Sequence, residues 1–407
     1  MKRKYLMLIG DGMADFPIGE LGGKTPLEYA ATPNMDKIAA SGRVGLLATI
    51  PDGFIPGSDV GNMSLLGYDP KLYFSGRAPI EAASMGIALG RDDVAFRCNV
   101  VTIDNGIMQD YSAGHISTPA AHRIINALQE ALGSDEIKFY PGVSYRHLMT
   151  VKNTGAGLKC TPPHDITGQR VDGYLPAGGD GRDCVLSIMN RAHDIVAKVS
   201  AEINGENFGG GASGGHSDKS KCLATDIWLW GQGSAVKFPT LKERYGLSGS
   251  VISAVDLVKG LGKLAGLNVR VVEGATGYLG TNYAGKVAAA KAALESGEDF
   301  VFLHVEAPDE TSHEGELQKK IQAIEEFDKY VVGEMLEYQS ENPGTRVAIA
   351  PDHITALSTR THDASPVPYC VCGSGVKVDD ANQYSEKSAQ KCKPVDGASF
   401  FDTFIKE

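Results

Sequence analysis

The chain has no long hydrophobic run, no net positive charge and no paired spacing of cysteines. Over its 407 residues, no stretch reaches the ~18 apolar residues of a membrane-spanning helix, which predicts a soluble, cytoplasmic protein with no membrane partner. The formal net charge is -11, and because nucleic-acid binding needs a basic surface, no nucleic-acid partner is expected. The seven cysteines are odd in number, as is typical of reduced thiols.

Two sequence motifs occur only in part: a phosphate-binding loop and a signal peptide. A glycine-rich segment spans Gly209–Gly215, but it lacks the Lys-Ser/Thr ending of a phosphate-binding loop, which favours a flexible connection. The N-terminus has three basic residues and a short apolar run, but that run is too short for a signal peptide and leads directly into Gly10-Asp11. We interpret it as the first strand of a sheet.

The length of the chain and a change in its pattern of predicted strands and helices indicate two domains. A chain of 407 residues exceeds most single cores, and its 49 glycines and 42% hydrophobic residues are typical of an α/β protein. Strands and helices alternate in the last third, which predicts a mostly parallel sheet flanked by helices. The pattern changes to short β-like segments at 80–189. We therefore expect an α/β domain at 1–79 and 190–407, with a smaller α+β domain inserted at 80–189.

Polar residues with metal-binding chemistry follow several predicted strands. Asp11 comes just after the apolar run Tyr5–Ile9. Asp309 and His313 follow the run Phe300–Val305, with a spacing that places both on one face of a helical turn. Asp352 and His353 follow Val347–Ala350, and His362 comes nine residues later. Ser58 precedes a predicted helix, whose N-terminal N–H groups stabilise anions.

Each of these residues also fits an ordinary structural role. A single histidine is more often a core or surface residue than a ligand, Asp352-His353 fits a helix cap, and Asp309 fits a turn after Pro308. The combination is more informative, because the carboxyl ends of neighbouring parallel strands meet at one edge of a sheet. The set therefore favours a two-metal phosphoryl-transfer site in which Ser58 is the nucleophile.

Longer motifs around these residues resemble a known family. They are Leu8-Ile-Gly-Asp-Gly12, Thr32-Pro-Asn-Met-Asp36, Gly57-Ser-Asp-Val-Gly-Asn62, Pro308-Asp-Glu-Thr-Ser-His313 and Pro351-Asp-His353 with the later His362. The pattern is similar to the alkaline phosphatase superfamily, and within it to the archaeal-type branch of the cofactor-independent phosphoglycerate mutases. The resemblance implies an alkaline-phosphatase-like core. It also implies two divalent ions, one held by Asp309, His313 and His362, the other by Asp11, Ser58, Asp352 and His353.

The resemblance also implies the chemistry. Carboxylates mixed with imidazoles suit Mn²⁺, with Zn²⁺, Co²⁺ or Mg²⁺ as other occupants, and 2,3-bisphosphoglycerate is not required. Ser58 would form a phosphoserine while 3-phosphoglycerate and 2-phosphoglycerate interconvert, a step of glycolysis and gluconeogenesis. The insertion would act as a substrate-binding lid. Its candidate substrate-binding residues are Arg97, His115, Arg146 and His164, although a solvated surface arginine is the ordinary alternative.

Other functions fit the same metal ligands. A homoserine kinase-like phosphotransferase would move the phosphoryl group to an amino-acid hydroxyl, and a phosphatase or phosphonate hydrolase would move it to water. A catalytically idle binding protein on this scaffold would not bind the metals.

Overall fold

The computed structural model describes residues 3–208 and 221–406, so the predicted flexible connection at Gly209–Gly215 lies outside the described residues. The strands are β1 (Lys4–Gly10), β2 (Gly42–Ala48), β3 (Asp93–Asp104), β4 (Ile107–Asp110), β5 (Ile137–Val143), β6 (Arg146–Lys152), β7 (Asp226–Ser234), β8 (Gly249–Ile252), β9 (Asn268–Val269), β10 (Phe300–Val305), β11 (Thr345–Ala350), β12 (Ile354–Ala356), β13 (Thr361–Asp363), β14 (Val367–Gly373) and β15 (Pro394–Asp396).

The α-helices are α1 (Pro26–Tyr29), α2 (Pro33–Ala40), α3 (Ser58–Leu65), α4 (Pro70–Tyr73), α5 (Arg77–Ser84), α6 (Thr118–Leu132), α7 (Arg182–Phe208), α8 (Leu241–Tyr245), α9 (Asp256–Leu264), α10 (Tyr283–Glu295), α11 (Ala307–Glu314), α12 (Leu317–Phe327), α13 (Gly333–Glu341), α14 (Glu386–Ala389) and α15 (Gly397–Lys406). Within the described residues, no helix combines the length and apolar character needed to cross a bilayer.

The chain divides into two compact units. The first unit is Met1–Phe74 with Lys237–Glu407, and the second is Ser75–Val236. The second unit is longer than the predicted insertion at 80–189, mainly at its C-terminal side. The reason is that α7 packs in the core of the second unit and β7 pairs with β3 from Val94 to Val101. The helix and strand after residue 189 therefore belong to the second unit, and not to the α/β domain.

The first unit is built on a mostly parallel sheet with the strand order β15-β2-β14-β11-β1-β10-β8-β9. The central strands are continuous apolar runs because both faces are covered. Leu6 and Leu8 of β1 pack with α2, α10 and α12 on one face. Tyr5 of β1 packs on the other face, where its ring lies 5.6 Å from that of Phe404 in α15. The predicted α/β fold with a mostly parallel sheet flanked by helices is confirmed.

Three neighbouring strands of this sheet end together. β1 pairs in parallel with β10 on one side and β11 on the other, so Gly10 lies beside Val305 and Ile9 beside Ala350. The segments that follow these strands therefore emerge at one edge. A short hairpin of β12 and β13 lies just beyond β11 and places Thr355 opposite His362.

The second unit contains an antiparallel sheet with the order β4-β3-β6-β5, and β7 also pairs with β3. Alternate residues of β3 face opposite sides. Phe96 and Cys98 lie in the core formed with α6 and α7. Ala95 faces the other side, where α5 covers it. Arg97 lies on the same side as Ala95.

Candidate functional site

The predicted ligands of the first unit form two groups. The Asp309 group consists of Asp309, His313 and His362, and the Asp352 group consists of Asp11, Asp352 and His353. In each group, one ligand atom from every residue lies within 4.8 Å of the others. The sheet brings both groups together, because their residues lie on the segments that follow β1, β10 and β11.

The Asp309 group is held by α11 and β13. Asp309 and His313 lie one turn apart on α11, with 3.3 Å between Asp309 Oδ2 and His313 Nε2. His362 Nε2 lies 3.4 Å from Asp309 Oδ1 and 3.0 Å from His313 Nε2. The Nδ1 atoms of His313 and His362 lie 2.9 Å from Arg360 O and 3.3 Å from Pro56 O, respectively. Since a carbonyl only accepts, each ring carries a proton on Nδ1, and both Nε2 atoms are turned toward the Asp309 carboxylate.

Charge reinforces this geometry. Burial lowers the pKa of His313, but the hydrogen bond and charge of Asp309 outweigh burial and raise that pKa to about 9. Burial raises the pKa of Asp309, but its hydrogen bonds with His313 and His362 outweigh burial and hold the pKa well below its usual range. The group thus favours a positive charge between its donor atoms.

The Asp352 group brings two buried carboxylates together. His353 Nε2 lies 3.4 Å from Asp11 Oδ1 and 3.4 Å from Asp352 Oδ2. Asp352 is well supported, because its Oδ1 accepts from the backbone N–H groups of Gly12 and His353 at 3.1 and 3.0 Å. In the part of the chain that the structure describes, Asp11 Oδ1 accepts no hydrogen bond.

Burial is the main cause that raises the pKa of Asp11 well above its ordinary value, and the charges of Asp352 and Asp309 add to it. Burial also lowers the pKa of His353, which favours the neutral imidazole. Two buried carboxylates beside a neutral imidazole are stabilised by a cation between them. Both groups therefore have the donor types and the charge that suit a divalent metal ion.

Ser58 lies beside the Asp352 group, at the first position of α3. Its Oγ is 3.1 Å from His353 Nε2. A Cβ at Gly57 would lie 2.9 Å from Asp59 Oδ1, so the chain enters the helix close to that carboxylate. The N–H groups of the first helical turn lie at the positive end of the helix dipole, and one of them, that of Val60, donates to Asp59 Oδ1 at 2.9 Å. Ser58 is thus placed where negative charge is stabilised.

Two residues that were not predicted from the sequence hold this arrangement. Asn62 donates through Nδ2 to Asp352 Oδ2 at 2.7 Å and to Ser58 O at 2.9 Å, which ties the helix start to the ligand. His304 is fully buried, and its Nε2 lies 3.0 Å from Asp11 Oδ2. Asn62 lies four residues after Ser58, a spacing that signals a shared helical face. His304 lies within the apolar run of β10, where no sequence pattern distinguishes it from a core residue.

The predicted substrate-binding residues lie in the second unit, around a row of aromatic rings. The Arg97 guanidinium lies 4.3 Å from the centre of the Trp230 ring, and the His164 ring lies 5.4 Å from it. The Arg146 guanidinium lies 5.4 Å from the centre of the Tyr145 ring. The exposed His115 also faces Tyr145, at 6.4 Å. Sheet pairing explains the set, because Arg97 lies opposite Trp230 and Arg146 lies opposite Asn99.

Arg77, Arg97 and Arg146 form an arginine cluster around the carboxylate of Glu81. Glu81 pairs with Arg77 at 2.9 Å and with Arg97 at 3.0 Å. Burial raises the pKa of Glu81, but Arg97, Arg77 and Arg146 outweigh burial and lower it. Burial lowers the pKa of Arg97 to about 10, so its guanidinium remains charged at neutral pH. All three arginines therefore lie close enough to Glu81 to stabilise its charge, and guanidinium groups are the side chains that bind carboxylates and phosphates through paired donors.

Comparison with known proteins agrees with these features. Residues 39–202 match the family model of 2,3-bisphosphoglycerate-independent phosphoglycerate mutase. A relative of that name from Methanosarcina acetivorans is 51% identical over 390 residues, which cover 95% of each chain. A relative from Geobacter sulfurreducens, named as a probable enzyme of this kind, is 48% identical, again over 95% of each chain.

Solved structures share the fold. A protein from Pyrococcus horikoshii has a TM-score of 0.79 and 27% identity, with coverage of 100% of this chain and 97% of the other. A cofactor-independent phosphoglycerate mutase from Thermoplasma acidophilum has a TM-score of 0.65 and 23% identity, with coverage of 99% of both chains. The identity to the Methanosarcina relative over nearly the whole chain places this protein in the 2,3-bisphosphoglycerate-independent phosphoglycerate mutase family.

Proposed function

We propose that this chain interconverts 3-phosphoglycerate and 2-phosphoglycerate through a phosphoserine at Ser58. The observation that carries the proposal is the position of Ser58 Oγ, 3.1 Å from His353 Nε2 and at the start of α3, beside two Asp–His groups. This site occurs in a chain whose relatives, 45 to 51% identical, are named as such mutases.

The two groups would hold two divalent ions. The Asp309 group would bind one, and the Asp352 group with Ser58 would bind the other. Carboxylate and imidazole donors suit Mn²⁺, and also Zn²⁺, Co²⁺ or Mg²⁺. When bound, such ions stabilise the serine alkoxide and the negative charge of the phosphoryl group.

Ser58 would then exchange the phosphoryl group with the substrate. Its Oγ loses its proton and forms a bond to phosphorus while the bond from phosphorus to one glycerate oxygen breaks, and that oxygen takes up a proton. The other hydroxyl of the same glycerate next loses its proton and bonds to phosphorus, while the bond from phosphorus to Ser58 Oγ breaks and Oγ regains a proton. The N–H groups at the start of α3 stabilise the anionic group during both steps. Asn62 keeps Ser58 in place by holding its carbonyl.

The arginine cluster of the second unit would recognise the substrate. Arg97, Arg146 and Arg77 offer paired donors to a carboxylate or phosphate, and His115 and His164 lie on the same aromatic row. We propose that this unit is the substrate domain. The role of the insertion as a lid stays a prediction.

Arg146→Gln tests this assignment. We expect the KM for phosphoglycerate to rise roughly 10- to 150-fold, because a hydrogen bond to a charged group contributes about 1.5–3 kcal/mol. The measurement is steady-state kinetics together with the Mn²⁺ content of the purified variant, which should not change.

Arg170→Gln is the matched control in the same unit. Arg170 pairs with Asp172, and both side chains are largely exposed, so this change should leave KM near the wild-type value. An unchanged KM in Arg146→Gln would contradict a substrate role for the arginine cluster.

Metal removal tests the whole proposal. The metal-free protein should not isomerise 3-phosphoglycerate in an enolase-coupled assay, and activity should return when Mn²⁺, Zn²⁺, Co²⁺ or Mg²⁺ is added separately. We expect the largest recovery with Mn²⁺. The reaction should proceed without added 2,3-bisphosphoglycerate.

The same assay separates the other functions. Release of phosphate in excess of isomerisation would favour a phosphatase. Consumption of ATP that depends on homoserine, with no isomerisation, would favour the kinase. Full activity in the metal-free protein would contradict the assignment of the two Asp–His groups as metal ligands.

A further inference from the structure

Thr355 lies between the two groups but belongs to neither. It is fully buried on β12, and in the β12–β13 hairpin it lies directly opposite His362 of the Asp309 group. It is also two residues beyond His353 of the Asp352 group. Its position therefore brings one side chain into reach of both groups.

The Thr355 hydroxyl contacts one residue of each group. Its Oγ1 lies 2.5 Å from Asp309 Oδ1 and 3.1 Å from His353 Nδ1. A carboxylate only accepts, so the hydroxyl donates its one proton to Asp309, and its oxygen accepts from the Nδ1–H of His353. This bond fixes the tautomer in which His353 Nε2 keeps its lone pair. That lone pair faces Ser58, Asp11 and Asp352.

The backbone of Thr355 is anchored as firmly as its hydroxyl. Its carbonyl accepts from the fully buried Lys320 Nζ at 2.7 Å. Lys320 also donates to Ala14 O at 3.2 Å and to Asp15 Oδ2 at 2.8 Å, on the segment that follows Asp11. A Cβ at Gly12 would lie 2.3 Å from Thr355 Oγ1. The hydroxyl is therefore packed against the backbone that carries Asp11.

We propose that Thr355 is a positioning residue that couples the two metal-binding groups. Its hydroxyl leaves Asp309 Oδ2 available on one side and His353 Nε2 available on the other, so its loss weakens both groups although it is a ligand in neither. The inference rests on the proposed metal-dependent function. Partners behind metal ligands commonly change metal affinity by about 10- to 100-fold.

The test compares Thr355→Val, which keeps the shape and removes the hydroxyl, with Thr355→Ser, which keeps the hydroxyl. Thr345→Val is the matched control, because Thr345 is a buried strand threonine whose hydroxyl has no hydrogen-bond partner within the described ranges. The probe is Mn²⁺ titrated into the metal-free proteins, with calorimetry and with the electron paramagnetic resonance signal of free Mn²⁺. Circular dichroism of the metal-free proteins checks that each variant folds.

We expect Thr355→Val to bind Mn²⁺ roughly 10- to 100-fold more weakly at both sites, while Thr355→Ser and Thr345→Val stay close to the wild type. Saturating Mn²⁺ should restore most of the kcat of Thr355→Val, which a residue in contact with the reacting atoms would not allow. Wild-type affinity in Thr355→Val overturns the inference. Weakening at one site alone overturns the coupling, and equal weakening in Thr345→Val assigns the effect to general damage of the core.

The two proposals fail separately. A wild-type protein that binds two Mn²⁺ ions and does not isomerise phosphoglycerate contradicts the proposed function, while the comparison of Thr355→Val with Thr355→Ser still decides the coupling. A wild-type protein that binds no Mn²⁺ contradicts both.

Discussion

Replacement of Ser58 with alanine should lower the mutase kcat by at least roughly 10⁴-fold, because Ser58 is the proposed nucleophile that carries the phosphoryl group between the two hydroxyls. The helix start should survive, since Asn62 binds the carbonyl of residue 58 and not its hydroxyl. The enolase-coupled assay measures the loss. Acid quenching of wild-type protein during turnover, followed by mass spectrometry of the peptide around Ser58, measures the phosphoserine directly.

Ser64→Ala is the control for this variant. Ser64 lies in the same helix and is buried, and its hydroxyl has no hydrogen-bond partner among the residues that the structure describes. Its loss should therefore leave kcat within a few-fold of the wild type. Retention of mutase activity in Ser58→Ala, or a phosphopeptide that does not contain Ser58, would contradict the phosphoserine mechanism.

Asp11→Asn should have opposite effects on activity and on stability. The variant should lose Mn²⁺ binding and nearly all activity, because a neutral amide is a much weaker ligand than a carboxylate. Without metal, however, it should be more stable than the wild type at pH 8. The folded-state pKa of Asp11 lies above its unfolded value because of burial and the charges of Asp352 and Asp309. The carboxyl group therefore costs folding free energy that builds up as the pH rises from the unfolded pKa to the folded pKa and is complete above it.

Thermal unfolding of the metal-free proteins measures this difference. Relief of a poorly compensated buried charge is worth about 1–3 kcal/mol, or roughly 2–10 °C in Tm for a unit of this size. The gain should shrink as the pH falls and wild-type Asp11 takes up its proton. Added Mn²⁺ should raise the Tm of the wild type and not that of the variant.

Asp352→Asn is the matched comparison, and it should lower the stability of the metal-free protein where Asp11→Asn raises it. The carboxylate of Asp352 accepts from the N–H groups of Gly12 and His353 and from Asn62 Nδ2. An amide in that place would set its own NH₂ against one of these donors, so the metal-free variant should be less stable. If both variants lose stability, repulsion between the two carboxylates is not what governs the metal-free site.

The sheet could be predicted from the sequence because its signals are local. β1, β10 and β11 contain continuous apolar runs, which is the pattern of a strand buried on both faces, and an acidic residue follows one or two positions after each strand ends. Neighbouring parallel strands bring their ends together, so the geometric grouping of Asp11, Asp309 and Asp352 followed from that pattern. The split into two groups depended on the family resemblance, and the structure places the same residues together.

The extent of the second unit could not be predicted in the same way. β7 has the apolar pattern of a buried strand, and periodicity does not reveal its partner. Its partner is β3, which lies more than a hundred residues earlier, in an antiparallel pair. Pairing over such a separation depends on tertiary packing and not on local propensity.

The residues that contact the predicted ligands, Thr355 and His304, could not be predicted from the sequence either. Thr355 and His304 lie in short apolar stretches, where a buried threonine or histidine has no distinguishing pattern. Their roles follow from single contacts, such as the 2.5 Å between Thr355 Oγ1 and Asp309 Oδ1. Such contacts appear only once the strands are assembled.

The interleaved sheet of the first unit also sets the order in which the chain can fold as it leaves the ribosome. β1 is made first, but both its neighbours in the sheet come from residues 300–305 and 345–350. β2 likewise cannot form its pair with β14 until residues 367–373 have been made. The second unit is contiguous from Ser75 to Val236 and has its own core. It can therefore fold during synthesis, while the N-terminal strands stay unpaired until the last third of the chain has been made.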